Sequence, residues 1–284
     1  MINLRLTYYP WITQNVDPHE IRMAVNAFAT EISGQLKSLN GIEAYVEVLK
    51  PLSVPEQLVS ISTGQSELAL MNPLGFVFAH RRNPKVEAAA VALRTIDGKV
   101  GPKYYAQIYT IRKTAIRSLE GLRGRTIGFG LPYSTSSFLI PAWVMFLAKI
   151  HPFASFRRVE FLGGHELVAK AVYDGAIDAG AGHDGVIRDL AGQYGYGDAE
   201  SVLFQIVRSS PIHSDPVAVN IADDNLKATI RSALVAASST QVGKRALARC
   251  WGNVHSLSPT VSGDYYELEE SLEALGLREE DLLH

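Results

Sequence analysis

Hydrophobic residues recur along the chain with two different periods. Short apolar or alternating runs predict β-strands, and apolar residues three or four positions apart predict helices. The predicted strands are residues 3–9, 42–49, 67–71, 86–93, 104–112, 126–130, 158–162, 177–181, 201–208 and 217–220. The predicted helices begin near residues 17, 55, 72, 118, 134, 165, 183, 225, 240 and 265. Strands and helices therefore alternate over most of the chain, and the last part is helical.

This alternation forms two series, one before and one after the long strand predicted at residues 104–112. Strands joined by helices favour a parallel sheet with helices on both faces. Residues 64–70 and 175–181 echo each other, since both combine a helix-ending glycine, an acidic residue and a buried strand. With 284 residues, the chain is long enough for two lobes of ordinary size. The pattern predicts a two-lobe α/β protein.

The most informative stretch joins the strand at residues 126–130 to the helix that begins at Ser134. Here Ser134, Thr135, Ser136 and Ser137 place four hydroxyl side chains at a helix start. Ser and Thr are good helix caps, but capping needs only one hydroxyl. Backbone N–H groups, the positive end of the helix dipole and spare hydroxyls together suit a small anion. Two interpretations are open: an oxyanion site, or hydroxyls that only cap the helix.

Composition narrows the function classes. Hydrophobic residues make up 47% of the chain and charged residues 20%, so a large core can form. The net charge of −2, without a long run of either sign, argues against nucleic-acid binding. The single cysteine, Cys250, excludes an intrachain disulfide. The sequence has no Gly-x-Ser-x-Gly nucleophile elbow, which argues against a Ser134–His165–Asp184 triad, and no His-x-x-x-His pair, which argues against a metal site. The leading interpretation predicts no catalytic residue, metal or cofactor.

The sequence also bears on location. It contains no apolar run of the length that a membrane-spanning helix needs. Its first residues, MINLRLTYYP, lack the charged and apolar regions of a secretory signal peptide. Two explanations are open: a cytosolic protein, or a periplasmic protein whose signal peptide has been removed.

Four short segments follow one another at a characteristic spacing. They are residues 119–130 (LEGLRGRTIGFG), Ser134-Thr135-Ser136, Gly163-Gly164-His165 and residues 174–180 (DGAIDAG). Together they resemble the phosphonate/phosphate/phosphite-binding proteins of ABC importers. The resemblance extends from about residue 2 to residue 240 and is densest from 104 to 217.

The resemblance implies the type II periplasmic-binding-protein fold, with two lobes that each contain a mostly parallel sheet flanked by helices. Residues 1–108 and 206–284 would form the first lobe, and residues 109–205 the second. The predicted strands at 104–112 and 201–208 would be the two hinge crossovers. The ligand would then lie in the cleft between the lobes.

The resemblance also implies a set of ligand-binding residues. It gives Ser134, Thr135 and Ser136 the role of binding the phosphorus oxyanion through hydroxyl and backbone N–H groups. It gives Tyr105 and His165 hydrogen bonds to the same anion.

Further residues are expected around the rest of the ligand. Asp215 corresponds to a residue that in some relatives meets an amino group on the ligand's organic tail. Other residues expected to line the cleft are Tyr9, Asn72, His183 and Asp184. Simpler interpretations stay open, since Tyr105 also fits a core position, His165 a helix cap and Asp215 a turn before proline.

This chain departs from the family pattern at three places. Ser137 replaces the glycine that usually follows Ser-Thr-Ser, which changes how closely the backbone approaches there. Ser53-Val54 stands where relatives often carry an aromatic residue, and Ile212-His213-Ser214 replaces a more usual Ile-Pro-Asn. These changes predict a ligand different from that of the best-known relatives.

Two functions compete at this point. The first is a non-catalytic, monomeric receptor that closes on a phosphonate, phosphate or phosphite in the periplasm and delivers it to a membrane permease. The second is a cytosolic enzyme on the same fold, similar to menaquinone- or thiamine-pathway enzymes, with His165, His183 and Asp184 as acid/base groups. A regulatory effector domain is a third possibility, disfavoured because no DNA-binding helix pair is evident.

Overall fold

The structure, a computed structural model, describes residues 1–9, 16–252 and 254–282. Its strands are β1 (Ile2–Tyr8), β2 (Ala44–Val48), β3 (Leu68–Leu70), β4 (Val86–Ile96), β5 (Lys99–Gly101), β6 (Lys103–Tyr104), β7 (Ala106–Ile111), β8 (Thr126–Phe129), β9 (Arg158–Phe161), β10 (Ala179–His183), β11 (Leu203–Arg208), β12 (Ile212–His213), β13 (Pro216–Asn220) and β14 (Ser256–Pro259). The predicted strands therefore all occur, with shifted ends, and the short strands β5, β12 and β14 are additional.

The helices follow the predicted order. They are α1 (Pro18–Asn40), α2 (Val54–Ser62), α3 (Pro73–Arg82), α4 (Ile140–Leu147), α5 (His165–Tyr173), α6 (Val186–Ala191), α7 (Ala199–Val202), α8 (Asp224–Ser239), α9 (Gln241–Cys250), α10 (Tyr266–Leu275) and α11 (Glu279–Leu282). The described residues also form 3₁₀ turns at Glu120–Leu122 and Ser262–Tyr265 and a π-helical turn at Thr135–Leu139.

Contacts divide the chain into two compact units. The first comprises Met1–Lys103 and His213–Tyr266, and the second comprises Tyr104–Ile212 and Glu267–His284. This division differs from the predicted lobes at the C-terminus, where residues 267–284 group with the second unit. Strands β6 and β12 pair with each other in a two-stranded sheet of their own.

The sheet of the first unit has the strand order β14-β4-β13-β3-β1-β2, with β5 added on β4. Strand β1 pairs in parallel with β2 and β3, whereas β13 pairs antiparallel with β3 and β4. Strands β1 to β4 therefore all run in one direction, and β13 is inserted against them.

The sheet of the second unit has the order β11-β7-β10-β8-β9. Strand β8 pairs in parallel with β9 and β10, whereas β7 pairs antiparallel with β10 and β11. The predicted α/β class with helix-flanked sheets is confirmed. Each sheet is mixed rather than mostly parallel. Strands β13, β14 and β5 run against the other strands of the first sheet, and β7 runs against those of the second. Hydrophobic patterning does not encode these directions.

Helix α1 shows how local sequence makes an element of the first unit. Asp17 caps it by accepting a hydrogen bond of 2.7 Å from the His19 N–H, and Pro18 fills the first helical position. The apolar face, which includes Phe28 and Ile32, is fully buried in the core of this unit. The helix ends at Gly41, whose φ of 66° suits glycine.

Close packing of α5 on β10 builds the core of the second unit. A Cβ at Gly180 would lie 2.5 Å from Cγ1 of Val168 and 2.9 Å from Cγ2 of Val172, so only glycine allows this approach. Tyr109 on β7 is fully buried in the same core.

Two predicted elements change form in the second unit. The strand predicted at residues 104–112 is interrupted at Tyr105, which lies between β6 and β7. The helix predicted from Ser134 begins with a π-helical turn, because the Leu139 N–H donates to the Ser134 carbonyl and the Ile140 N–H to the Thr135 carbonyl, each five residues back. Pro141 has no N–H to offer the preceding turn, so a regular α-helix does not pass through this segment unchanged.

Candidate functional site

The start of the helical segment after β8 concentrates the hydroxyl side chains of the second unit. Ser134 caps the segment, since its Oγ accepts a hydrogen bond of 3.1 Å from the Ser137 N–H. Thr135 and Ser136 follow and are 2% and 4% exposed. The segment continues without interruption into α4, so its first N–H groups and its positive dipole end lie beside these hydroxyls. The arrangement is suited to an anion.

Ser137 has a different role from the serines before it. Its hydroxyl accepts a 2.6 Å hydrogen bond from the Gly130 N–H and donates one of 2.9 Å to the Ala181 carbonyl. Gly130 follows β8 and Ala181 lies in β10, so this side chain ties the ends of two neighbouring strands to the helix start. The departure from the family's glycine at this position therefore gives an internal contact that glycine lacks.

His165 and His183 meet beside this helix start. The His183 N–H donates to Nδ1 of His165 at 3.4 Å, and the ring centroids are 4.9 Å apart. This contact leaves the imidazole proton of His165 on Nε2. Burial, and secondly the neighbouring His183, lower the pKa of His165 to about 3. His165 is therefore a neutral hydrogen-bond donor at physiological pH.

His183 is oriented by its own contacts. Its Nδ1 accepts a 3.1 Å hydrogen bond from the Gly185 N–H, and its Nε2 lies 3.5 Å from an oxygen of Asp189. A Cβ at Gly182 would lie 3.3 Å from Nδ1 of His165, so this glycine lets the two imidazoles approach.

Tyr105 and Asp184 lie together with Arg208. The Asp184 N–H donates to the Tyr105 carbonyl at 3.0 Å, and the Asp184 carboxylate pairs with the Arg208 guanidinium at 3.3 Å. The guanidinium carbon of Arg208 lies 3.7 Å from the centroid of the Tyr105 ring, in a cation–π contact. Gln107 supports the group by donating to the carbonyls of His183 and Asp184 at 3.0 and 3.2 Å.

Sequence patterns alone do not identify Arg208, Gln107 or the structural role of Ser137. Arg208 ends a predicted strand, and its importance depends on β11 lying beside β7, which only the sheet order reveals. The one sequence signal that points to Arg208 is its position as a polar residue at the end of a predicted strand.

The structure thus gathers most of the predicted ligand-binding residues at one end of the sheet in the second unit. They lie at or after the carboxyl ends of the parallel strands β8, β9 and β10 or, for Tyr105, precede the antiparallel strand β7 at the same end of the sheet. These residues are Ser134, Thr135, Ser136, Tyr105, His165, His183 and Asp184. In open α/β sheets, ligands bind at this end of the strands.

The remaining predicted residues belong to the first unit. Tyr9 directly follows β1 and packs against the core of that unit. Asn72 follows β3 and caps α3, since its Oδ1 accepts a 2.6 Å hydrogen bond from the Gly75 N–H. Asp215 directly precedes β13 and pairs with Arg94 at 2.5 Å. Burial raises the pKa of Asp215, an effect that Arg94 opposes.

Other chemistry-bearing groups have structural surroundings. Cys250 is buried, and burial raises the pKa of its thiol to about 12. Among residues 1–9, 16–252 and 254–282, no group of three or more His, Cys, Asp or Glu side chains is arranged to hold a metal ion. In the described part of the chain, none of the helices has both the length and the apolar character needed to cross a bilayer.

Comparisons with solved structures define the fold. PhnD1 from Prochlorococcus marinus in complex with methylphosphonate superposes with a TM-score of 0.73 at 19% identity, covering 96% of this chain and 98% of that one. A binding protein component of an ABC phosphonate transporter from Pseudomonas aeruginosa gives a TM-score of 0.72 at 17% identity, covering 96% and 86%. A Xanthomonas citri protein bound to ATP gives 0.76 at 16% identity, covering 99% of each chain. The chain has the two-lobe periplasmic-binding-protein fold.

The family follows from a match over most of the chain. The model of the phosphonate-binding family, described as "ABC transporter, phosphonate, periplasmic substrate-binding protein", matches residues 12–265. The chain belongs to this family, which confirms the predicted resemblance and the expected periplasmic location. Because members of this family are transporter binding proteins, the prediction of a non-catalytic protein is also confirmed. The alternative of a cytosolic enzyme on the same fold is excluded. The chain is the substrate-binding component of a phosphonate ABC transporter.

Proposed function

We propose that this protein binds a phosphorus oxyanion at the helix start formed by Ser134, Thr135 and Ser136. The observation that carries the proposal is the burial of Thr135 and Ser136 at a positive helix end, beside the neutral donor His165. Neutral hydroxyl, imidazole and N–H donors suffice, because hydrogen bonds to a charged acceptor are the strong kind. Tyr105, at the same end of the sheet, supplies a further phenolic hydroxyl.

The ligand class follows from family and site together. The family transports phosphonates, and the donors described above suit the oxygens of phosphonate, phosphate or phosphite equally. Methylphosphonate is the appropriate first probe, since it is the ligand of the Prochlorococcus marinus relative. In our proposal, closure of the lobes on the ligand and presentation of the closed monomer to a membrane permease complete the transport function.

A thermal-shift panel tests the proposal. We expect methylphosphonate, phosphate or phosphite to raise the unfolding temperature, since a ligand that binds only the folded state stabilises it. We expect sulfate and simple carboxylates to have no effect. If carboxylates raise the unfolding temperature and no phosphorus oxyanion does, the proposed ligand class is wrong.

The Thr135→Ala variant tests the site itself. It removes one hydroxyl donor from a buried position, which costs about 1–3 kcal/mol of binding free energy. We therefore expect it to abolish most of the thermal response. Thr30→Ala is the matched control, because the Thr30 hydroxyl is bonded only to the Asn26 carbonyl on the exposed face of α1. Equal responses from the two variants would place the anion elsewhere.

A further inference from the structure

The charge balance around the candidate ligand-binding residues gives information about the rest of the ligand. Among those residues only Asp184, in the second unit, and Asp215, in the first, carry carboxylates. The others offer hydroxyl, phenol, amide or imidazole groups. Within this set, only these two carboxylates could supply the counter-charge for a positively charged group on the ligand.

Asp215 is held by Arg94. Nη2 of Arg94 lies 2.5 Å from Oδ2 of Asp215, and the two side chains are only 18% and 13% exposed. Nη1 of Arg94 donates to the carbonyls of Trp251 and Gly252, so the guanidinium is fixed from both sides. The Asp215 carboxylate therefore already has a rigid cationic partner.

Asp184 is held in the same way. Nη2 of Arg208 lies 3.3 Å from Oδ2 of Asp184, whose side chain is 12% exposed. The planar guanidinium also stacks on the Tyr105 ring at 3.7 Å, a contact that favours arginine over lysine. Both candidate carboxylates are thus committed to arginines.

We propose that the group attached to phosphorus in the natural ligand carries no positive charge. The proposal rests on the proposed function and narrows the ligand class to phosphorus oxyanions without an ammonium group, such as alkylphosphonates, phosphate or phosphite. It excludes aminoalkylphosphonates. An ammonium group loses water on binding and needs an equivalent counter-charge. Here it meets Arg94 or Arg208 beside each carboxylate, and breaking either partly buried pair leaves a charge without its partner.

Isothermal titration calorimetry with three probes tests the proposal. Ethylphosphonate and 2-aminoethylphosphonate differ only in the terminal ammonium group, and methylphosphonate is the reference ligand. We expect 2-aminoethylphosphonate to bind at least about tenfold more weakly than ethylphosphonate. Equal or tighter binding of the amine overturns this inference and leaves the proposed function intact. Silence of all three probes, together with no binding of phosphate or phosphite, overturns the proposed function.

Variants test the role of the arginines. Arg94→Met leaves the Asp215 carboxylate without its cation, so we expect the affinity ratio to shift at least about tenfold toward the amine. The double variant Arg94→Met/Asp215→Asn removes both charges, so its affinity ratio should return toward that of the unmodified protein. Arg231→Met is the matched control, because Arg231 pairs with Glu87 at 2.8 Å in the same unit and is not a candidate ligand residue.

The second unit provides an independent version of this test. Arg208→Met removes the cation beside Asp184, as Arg94→Met removes the cation beside Asp215. If Arg94→Met does not fold, Arg208→Met replaces it in the test, with the same expected shift of the affinity ratio toward the amine. A ratio that stays unchanged in every folded arginine variant, as in Arg231→Met, would overturn the proposal.

Discussion

The two units share one order of strands but begin their first helices with different chemistry. The order β2-β1-β3-β13-β4 of the first unit corresponds to β9-β8-β10-β7-β11 of the second. In the first unit, β1 leads to α1, which begins with the carboxylate cap Asp17. In the second, β8 leads to a helical segment that begins with the neutral cap Ser134 and the buried hydroxyls of Thr135 and Ser136.

This difference shows that topology offers two equivalent helix starts and that side chains decide which one suits an anion. Asp17 satisfies its own helix N-terminus with negative charge and repels a further anion. Ser134 caps with a neutral hydroxyl, which adds no negative charge to the positive helix end. The candidate oxyanion site therefore belongs to the second unit.

Transferring the first unit's cap to the second should have the largest effect. Ser134→Asp keeps the cap, because Asp caps helices as well as Ser does. A carboxylate about 4 Å from the anion costs roughly 4 kcal/mol at an effective dielectric constant near 20, or about 1,000-fold in affinity. Calorimetry with methylphosphonate measures this loss. Ser134→Asn, which caps without charge, should retain most of the affinity, and equal losses would refute the electrostatic explanation.

His165 should make stability depend on pH. The unfolded chain gains a proton on this side chain as the pH falls below about 6.5, whereas the folded protein does not until about pH 3. Falling pH therefore favours unfolding across this window, by up to about 1.4 kcal/mol per pH unit, and the effect is absent above about 6.5.

Denaturant unfolding at a series of pH values measures that dependence. His165→Asn keeps an acceptor for the His183 N–H but does not titrate, so its stability should fall less steeply between about pH 6.5 and about pH 3. Identical slopes for the two proteins would contradict the assigned pKa of His165.

Ser137→Ala should destabilise the second unit more than it changes binding. It leaves the Gly130 N–H and the Ala181 carbonyl without their shared hydroxyl, at a cost of about 1–3 kcal/mol. Urea unfolding of this variant should show the loss. Ser232→Ala removes only an exposed hydroxyl on α8 and should change stability by less than about 0.5 kcal/mol.

The reverse exchange in the first unit should have the smallest effect. Asp17→Ser keeps the cap of α1 and loses only the interaction of its charge with the helix dipole, worth about 0.5 kcal/mol. Thermal unfolding should therefore change little, and methylphosphonate affinity should stay within about twofold of the original. A tenfold change in affinity would mean that the two helix starts are not as distinct as the comparison indicates.

Local sequence determined the elements of this protein to a large extent. Asp17, Pro18 and Gly41 predict and form the two ends of α1, and Asn72 caps the predicted helix α3. Ser134 begins the predicted helical segment at the expected residue. These features depend on neighbours within a few positions, since caps and glycine turns satisfy nearby backbone groups.

Tertiary structure decided the direction of the inserted strands and the partners of the charged side chains. Whether Asp215 is available to a ligand depends on Arg94, which is 121 positions away in the sequence. Asp184 likewise depends on Arg208, which lies beside it because β10 and β11 both pair with β7 and reach the same end of that strand. The sequence by itself thus predicted the helix start that we propose binds the anion, because this feature is local. Only the fold determined the charge balance around it, because ion pairs join residues that distant segments bring together.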